Sequence, residues 1–239
     1  MILYGRNPVM EALRGRRSGA VTEIWATAGA AREPWLSARA VSVRSAEEIE
    51  RRCGSASHQG ICAQAGPYPY AGVEQMLSRE QPLVLALDQV QDPQNLGSIC
   101  RTAECAGAAG VVIPERRAAE VTPAVCKASA GAVEHLPVAR VRNMADFLVQ
   151  AGRAGCWSYG ASAEQGPGGR DPVPYDRPDY SGGVVLVLGS EGHGLRPRVA
   201  GACDELIRLP LLGRIGSLGV SAAAAALLYE ILQKRSGQP

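Results

Sequence analysis

The alternation of apolar and polar positions in the first part of the chain predicts a small α/β module. Residues 21–26 alternate as a half-buried strand does, and residues 46–52 are expected to form a short helix that ends at Gly54. Asn7 and Pro8 are typical of the N-cap and the first position of a helix, so an earlier helix is expected to begin there. The first part therefore contains both strands and helices.

The pattern changes at residue 83, where apolar runs and helical segments begin to alternate regularly. Strands are expected at 83–87, 110–113, 156–160, 184–188 and 206–209, and helices at 96–106, 120–132, 144–154 and 217–234. This alternation predicts a mostly parallel sheet with helices on both faces. We expect three parts: a small α/β domain at 1–66, a linker at 67–82 that is rich in Pro and Gly, and a larger α/β domain at 83–239.

Residues 165–183 fit neither the helical nor the strand pattern. Glycine and proline are frequent throughout this stretch, which is expected to form one long loop. Loops of this length in compact domains are usually functional or mobile.

Composition bounds the class of protein. The 239 residues are 46% hydrophobic and 20% charged, as in soluble globular proteins, and the net charge of +2 argues neither for nor against a nucleic-acid partner. The N-terminus has no secretory signal pattern, and no apolar run reaches the roughly 18 residues of a membrane span. We therefore expect a cytoplasmic protein without a membrane partner.

The cysteines and the basic residues restrict the kinds of binding site that are expected. The seven cysteines include no CxxC pair, so neither a disulfide framework nor a metal site is expected. Among the 25 basic residues only Lys127 and Lys234 are lysines. Arginine suits phosphate recognition and base stacking, but the arginine codons of a GC-rich genome are the preferred explanation of the bias.

A polar segment at 92–97 follows a buried strand and precedes a helix. This places it at the carboxyl edge of the sheet, where open α/β folds bind ligands. Asn95 is a candidate site residue there, although it is also a natural N-cap for the helix. Arg101 follows one to two helical turns later and is a candidate for the same site, or else a solvated surface charge.

The glycine-rich turn at 189–194 lies too late in the chain for a dinucleotide fingerprint, which belongs to the first strand–helix turn. Glu191 could orient a ribose or the reacting nucleotide, or it could be an acid favoured by a helix dipole. His193 is more typical of a solvent-facing loop residue. Ser217 is expected to begin the last helix, as its cap or as a hydrogen-bond donor to a ligand.

Together, three segments resemble the three sequence motifs of the SpoU/TrmH family of RNA 2′-O-ribose methyltransferases. The first is Asn95-Leu-Gly97-Ser-Ile-Cys-Arg101, the second runs from Leu188 to Gly194, and the third runs from Ile207 to Ser221. The N-terminal module, with its segments at 4–9 and 58–61, is similar to the substrate-binding domain of the family. Within the family, the chain most resembles the bacterial subgroup that methylates a guanosine of 23S rRNA.

This resemblance implies a SPOUT-type fold, in which the C-terminal part of the mostly parallel sheet threads into a deep trefoil knot. It also implies S-adenosylmethionine as the cofactor, RNA as the substrate, and a homodimer that packs through the knotted region. The cofactor is expected to contact Gly189, Leu209 and Leu218, with Ser217 and Ala161 nearby.

The resemblance also implies catalytic roles for Arg101, Asn95, Glu191 and Ser217. Arg101 would assist removal of the ribose 2′-hydroxyl proton. The pKa of free arginine is normally above ~12, so it would need help from a substrate phosphate, or it would act by electrostatic positioning instead. Asn95 would fix the loop and the substrate, and Glu191 would order the site around the ribose.

Gly219 departs from the family pattern, which usually has Asn after the Ser-Leu pair of the third motif. Three alternatives stay open beside an rRNA guanosine methyltransferase, and only one of them rests on Gly219. One is a tRNA or rRNA-adenosine ribose methyltransferase, and another is a non-catalytic RNA-binding relative, for which Gly219 is the support. The third, a nucleotide-dependent oxidoreductase, is disfavoured by the late position of the glycine turn.

Overall fold

The computed structural model describes residues 1–237, which form two β-sheets and eight α-helices. The strands are β1 Ile2–Tyr4, β2 Val21–Ala26, β3 Ser42–Val43, β4 Ile61–Ala65, β5 Leu83–Asp88, β6 Gly110–Pro114, β7 Val138–Val141, β8 Cys156–Ala161, β9 Val173–Pro174, β10 Gly183–Gly189 and β11 Glu205–Arg208. The helices are α1 Arg6–Arg14, α2 Ala46–Cys53, α3 Val73–Leu77, α4 Pro93–Cys105, α5 Pro123–Ala128, α6 Met144–Arg153, α7 Pro197–Ala202 and α8 Val220–Ser236.

The first four strands form a sheet of order β1-β4-β2-β3, in which β4 pairs antiparallel with both neighbours. The other seven form a sheet of order β7-β6-β5-β10-β8-β11-β9, and every pairing in it is parallel. The α/β class and the mostly parallel sheet are thus confirmed. Because parallel strands share one direction, all their carboxyl ends lie along one edge of this sheet.

The central strands of the larger sheet are buried on both faces, as continuous apolar runs indicate. One face, with Leu85 and Leu186, belongs to an apolar cluster that includes residues of α1, α4, α5 and α8 and continues into the core of the N-terminal sheet. The other face, with Val84 and Val185, packs against α3, α6 and α7. The two sheets therefore share one apolar core on the first face.

A buried ion pair joins the N-terminal part to the turn that precedes β7 of the larger sheet. Arg17 and Glu134 are 2% and 1% exposed, and the Arg17 Nε donates a hydrogen bond of 2.9 Å to the carboxylate. Nearby, the Tyr68 hydroxyl donates to the Val133 carbonyl and accepts from Arg16. The two parts of the chain are therefore joined by polar contacts as well as by the shared core.

The expected linker at 67–82 contains α3, whose Val73, Met76 and Leu77 are buried. The boundaries at 66 and 83 stay a prediction. No helix among residues 1–237 is long and apolar enough to cross a membrane.

Four predicted helices differ from the structure by two or more residues at an end. One of them, expected at 96–106, begins at Pro93 as α4. α1 begins at Arg6 with Gly5 as N-cap, so Asn7 lies inside the first turn and does not cap it. The helix expected at 120–132 is shorter, because Thr122 caps α5 and Ala130 takes a positive φ of 52° just after it. The helix expected from residue 217 begins at Val220.

The stretch expected as a loop at 165–183 is more structured than predicted. It contains β9, which pairs with β11, and side chains of α8 hold its second half. Arg235 donates to the carbonyls of Tyr180 and Gly182, and Lys234 donates to that of Pro178. These bonds satisfy carbonyls that no strand pairs, so side chains order a segment whose own sequence favours no regular structure.

Burial determines the protonation state of most of the cysteine thiols. Cys62, Cys100, Cys126, Cys156 and Cys203 are buried, whereas Cys105 is exposed at the end of α4. Desolvation raises the pKa of Cys100 and of Cys203 to about 12. The buried thiols therefore stay protonated at neutral pH and act as small apolar core residues.

Candidate active site

The loops that follow β8, β10 and β11 enclose a cavity of about 710 Å³ together with the first turn of α8. It opens at the carboxyl edge of the larger sheet, as ligand sites of open α/β folds do. All five predicted cofactor residues lie in its wall: Ala161, Gly189, Leu209, Ser217 and Leu218. The structure thus brings together residues that are up to 57 positions apart in the sequence, counting from 161 to 218. Their contact with a cofactor stays a prediction.

The glycine turn after β10 folds back on itself at the cavity mouth. The backbone groups of Ser190 and Gly194 exchange two hydrogen bonds of 3.1 and 3.0 Å. A Cβ at Gly189 would overlap the Gly194 carbonyl, so only glycine allows this close approach. Glu191 and His193 both lie on the turn and line the cavity.

Asn95 and Glu191 meet, although 96 residues separate them. The Asn95 side-chain amide donates a hydrogen bond of 2.9 Å to Oε1 of Glu191. The alternative role of Asn95, as the N-cap of the helix, is wrong, because Asp92 is the N-cap and accepts from the Gln94 amide at 2.9 Å. Since Asp92 satisfies the helix start, the amide of Asn95 is available to orient the carboxylate of Glu191.

Arg101 lies on α4, exposed and outside the wall of the cavity. Among residues 1–237 its guanidinium has neither an ion-pair partner nor a hydrogen-bond acceptor. The structure therefore presents Arg101 to solvent on the helix that carries Asn95. Its five N–H donors are available to an external anion such as a phosphate.

Ser217 and Gly219 have different positions from those expected. Ser217 is exposed in the loop before α8 and does not begin the helix; Gly219 is the N-cap. Gly219 has φ 79° and ψ 145°, a conformation in which an L side chain is strained. A Cβ there would lie 3.8 Å from Oε1 of Glu191. The residue that departs from the family pattern thus sits beside the Asn95–Glu191 pair, in a backbone conformation that suits glycine.

An ion pair that the sequence did not reveal anchors the glycine turn to β5. Asp88 is completely buried, and its carboxylate accepts from Nε of Arg196 at 2.8 Å and from the Arg196 backbone amide at 3.0 Å. The only sequence signal was an acid at the end of an apolar strand. The pair fixes the segment after β10 against the strand that leads to Asn95.

Two sequence profiles match the chain. The SpoU rRNA Methylase family matches residues 82–229, and RNA 2′-O ribose methyltransferase substrate binding matches residues 2–71. The chain belongs to the SpoU rRNA Methylase family. This confirms the family that the three motifs indicated, and the first profile includes Asn95, Arg101 and Glu191.

Relatives among known proteins agree with the SpoU assignment. A Bacillus subtilis protein, named for the TrmH family of tRNA/rRNA methyltransferases, is 44% identical over 184 residues, covering 75% of this chain and 72% of its own. A Staphylococcus haemolyticus protein with a name of the same kind is 34% identical over 251 residues, covering 98% and 96%. Both names allow either tRNA or rRNA as the substrate of the named protein.

Solved structures share the SpoU fold over nearly the whole chain. AviRb of Streptomyces viridochromogenes, in complex with the cofactor AdoMet, superposes with a TM-score of 0.81 at 23% identity, covering 100% of this chain and 91% of that one. A TrmH-family structure from Porphyromonas gingivalis gives 0.77 at 28% identity, covering 96% and 88%. At 23% identity, the likeness to AviRb shows a shared fold and nothing about the substrate.

The cavity of this SpoU protein suits a cofactor with an apolar and a hydrogen-bonding part. Its volume falls within the ~300–1,000 Å³ of small-molecule sites. The wall combines apolar side chains such as Leu188, Ile207 and Leu209 with the backbone of the glycine turn. Apolar side chains can enclose an adenine ring, while backbone groups supply donors and acceptors. Residues 1–237 contain no group of three or more His, Cys, Asp or Glu that could hold a metal ion.

Proposed function

We propose that this protein transfers a methyl group to a ribose 2′-hydroxyl of RNA. Its family makes it an RNA methyltransferase that uses S-adenosylmethionine. The observation that carries the finer proposal is the hydrogen bond between Asn95 and Glu191 at the mouth of the cavity. The match of residues 2–71 to a substrate-binding domain of 2′-O ribose methyltransferases supports ribose as the target.

Each predicted catalytic residue has a role that its position supports. The carboxylate of Glu191, held by Asn95, accepts a hydrogen bond from the substrate and orients the ribose. Arg101 binds the phosphate beside that ribose and stabilises the negative charge that develops as the 2′-hydroxyl loses its proton. The exposed hydroxyl of Ser217, in the cavity wall, is placed to donate to a ligand.

The methyl donor would be held by the cavity wall. Gly189, Leu209 and Leu218 would contact S-adenosylmethionine mainly through their backbones, with Ala161 and Ser217 nearby. When bound, this cofactor supplies a methyl group activated by a sulfonium. The protein positions the hydroxyl for attack on that methyl group.

We infer a guanosine of 23S rRNA as the substrate, on the sequence resemblance to that subgroup. The candidate alternatives are a tRNA ribose and an rRNA adenosine, and the relatives' names allow both RNA classes. A non-catalytic RNA-binding relative is the alternative outside the enzyme class. It has less support, because Gly219 suits its backbone and the other candidate residues are present.

The same proposal includes a trefoil knot, a homodimer and a cytoplasmic location. The loop after β11 returns through α8 to the face of the sheet that carries α4, an arrangement that threading would require.

Leu212 and Ile215 of that loop are 98% and 77% exposed, and Tyr229 of α8 is half exposed. A second copy would cover this apolar surface. Sedimentation equilibrium of the wild-type chain tests the dimer, and a monomer at micromolar concentration would contradict it.

The function is tested by a methyl-transfer assay. The pure protein is incubated with S-adenosylmethionine and unmodified transcripts of 23S rRNA or tRNA, and the digested RNA is searched for 2′-O-methyl nucleosides by mass spectrometry. We expect 2′-O-methylguanosine with 23S rRNA alone. Methylation of a base instead of a ribose would refute the ribose proposal, and methylation of tRNA alone would move the substrate to that class. Cofactor binding without transfer to any RNA would favour the non-catalytic relative.

A further inference from the structure

Of the two lysines in the chain, Lys127 is the one whose charge has no partner among the described residues. Lys234 donates to backbone carbonyls near the end of β9, including that of Pro178 at 2.7 Å. Lys127, in contrast, has neither a carboxylate within ion-pair distance nor a hydrogen-bond acceptor among residues 1–237. Its side chain is half-buried, and desolvation lowers its pKa. Burying part of an unpaired cation costs free energy that a structural role would have to offset.

The ammonium of Lys127 lies against two segments of the N-terminal sheet that the catalytic site does not use. A Cβ at Gly5 would lie 2.5 Å from Nζ of Lys127 and 3.1 Å from Oε1 of Gln59. Gly5 has φ 91°, and Gln59 also has a positive φ, of 54°. Both sequence segments that resemble the substrate-binding domain, at 4–9 and 58–61, thus converge on one lysine of the larger domain.

Two side-chain donor groups at this place have no acceptor among the described residues. The side-chain oxygen of Gln59 already accepts from the Arg6 amide at 3.0 Å, which leaves its Nε2 as a donor without a partner among the described residues. The acids nearby are engaged elsewhere: Glu33 pairs with Arg6 at 2.8 Å, and Glu11 pairs with His135 at 2.7 Å. The Lys127 ammonium and the exposed side-chain amide of Gln59, whose oxygen faces the same point, thus each carry N–H donors without a partner among the described residues, and such donors can bind an anion.

The position of this donor set connects it to the candidate active site. Lys127 belongs to α5, whose Ala128 packs so closely on α4 that a Cβ at Gly97 would collide with it. Gly97 lies between Asn95 and Arg101 on α4. The donors therefore lie at the seam between the N-terminal sheet and α5, the helix that packs directly against the first-motif helix α4.

We propose that Lys127 and Gln59 form a phosphate seat at this seam, which binds the backbone of the RNA substrate near the target nucleotide. The proposal rests on the proposed function for the identity of the RNA, but its geometry is independent of the methyl-transfer step. One RNA strand would then contact both parts of the chain. The seat would fix the register of the RNA relative to Arg101 without reading its bases, as phosphate contacts generally do.

The test is K127M, which keeps an unbranched side chain and removes the charge. We expect the Kd for an unmodified 23S rRNA transcript to rise about three- to tenfold near 0.15 M salt. The slope of log Kd against log salt should fall by about 0.7–0.9, the change for one lost phosphate contact. Under saturating RNA, kcat should stay within about twofold, whereas KM for RNA rises.

Three further variants separate a seat from a structural lysine. K127R should retain the salt slope, and Q59A should weaken RNA binding without changing net charge. R153A is the matched control, because Arg153 is exposed at the end of α6 on the other face of the sheet, and it removes one positive charge there. Thermal unfolding verifies that each variant folds, and if K127M does not fold, Q59A decides.

The outcomes distinguish this proposal from the proposed function. If K127M and Q59A bind RNA with the affinity and salt slope of R153A while the wild type still methylates RNA, the seat is refuted and the function stands. If no RNA is methylated but K127M weakens RNA binding with the expected slope, the seat stands and the proposed function fails.

Discussion

Replacing Arg101 by Ala is expected to lower kcat for methyl transfer about 10²- to 10³-fold, the usual cost of removing one group that stabilises transition-state charge. Arg101 is exposed and unpaired among the described residues, so its loss leaves no buried partner and should leave stability unchanged. It lies outside the cavity wall, so the Kd for S-adenosylmethionine should stay within about twofold. Single-turnover transfer to the RNA and cofactor titration measure the two quantities.

R101K keeps the charge but loses the planar fork that grips a phosphate from two sides. It should therefore fall between the wild type and R101A, with a rate closer to R101A. R153A, which removes an exposed arginine on the other face, serves as the control for net charge. If R101A methylates RNA at the wild-type rate, Arg101 has no catalytic role, and the site must be centred on Glu191 and the glycine turn alone.

Replacing Glu134 by Gln is expected to destabilise the protein by about 3–5 kcal/mol, because it leaves the charge of Arg17 buried without a counter-charge. The two side chains are 1% and 2% exposed, so solvent screens their interaction little. The effect should be seen as a lower midpoint in urea unfolding, measured by circular dichroism. Because the pair joins the N-terminal part to the turn that precedes β7 of the larger sheet, we also expect E134Q to expose that junction to proteases.

The double variant R17M/E134L removes both charges and fills the space with apolar side chains. It should recover most of the loss, since buried ion pairs are often replaceable by packed hydrophobic residues at little cost. D146N is the surface control, because Asp146 and Arg198 are both exposed and 3.5 Å apart, and such pairs contribute at most about 1 kcal/mol. A loss in E134Q no larger than that in D146N would contradict the importance assigned to the buried pair.

The strands of the larger sheet were predictable, because burial on both faces requires apolar runs that no surface segment tolerates. The runs at 83–87 and 184–188 match β5 and β10 to within one residue at each end. The candidate site followed from these strands. Because the strands were predicted to run parallel, the segments that follow them were expected to meet at one edge of the sheet.

Helix starts were less predictable, because several residues near one end satisfy the same local rule. Asp92 and Asn95 are both good N-caps, and only the contact with Glu191 in the folded chain distinguishes them. Contacts between the N-terminal sheet and the rest of the chain left no signal in the sequence. Lys127 beside Gly5, and Arg17 beside Glu134, depend on how the N-terminal sheet packs, which neither periodicity nor composition encodes.

The exposed thiol of Cys105 allows a fluorescent label to be attached to α4. Cys105 is exposed on this helix, one turn after Arg101, whereas five other cysteines are buried and Cys53 is half-buried. A maleimide fluorophore should therefore attach preferentially to Cys105 in the native protein, since accessible thiols react first. A dye on that turn would report the arrival of RNA at Arg101 as a change in emission. The natural sequence thus includes an attachment point for following substrate binding in real time.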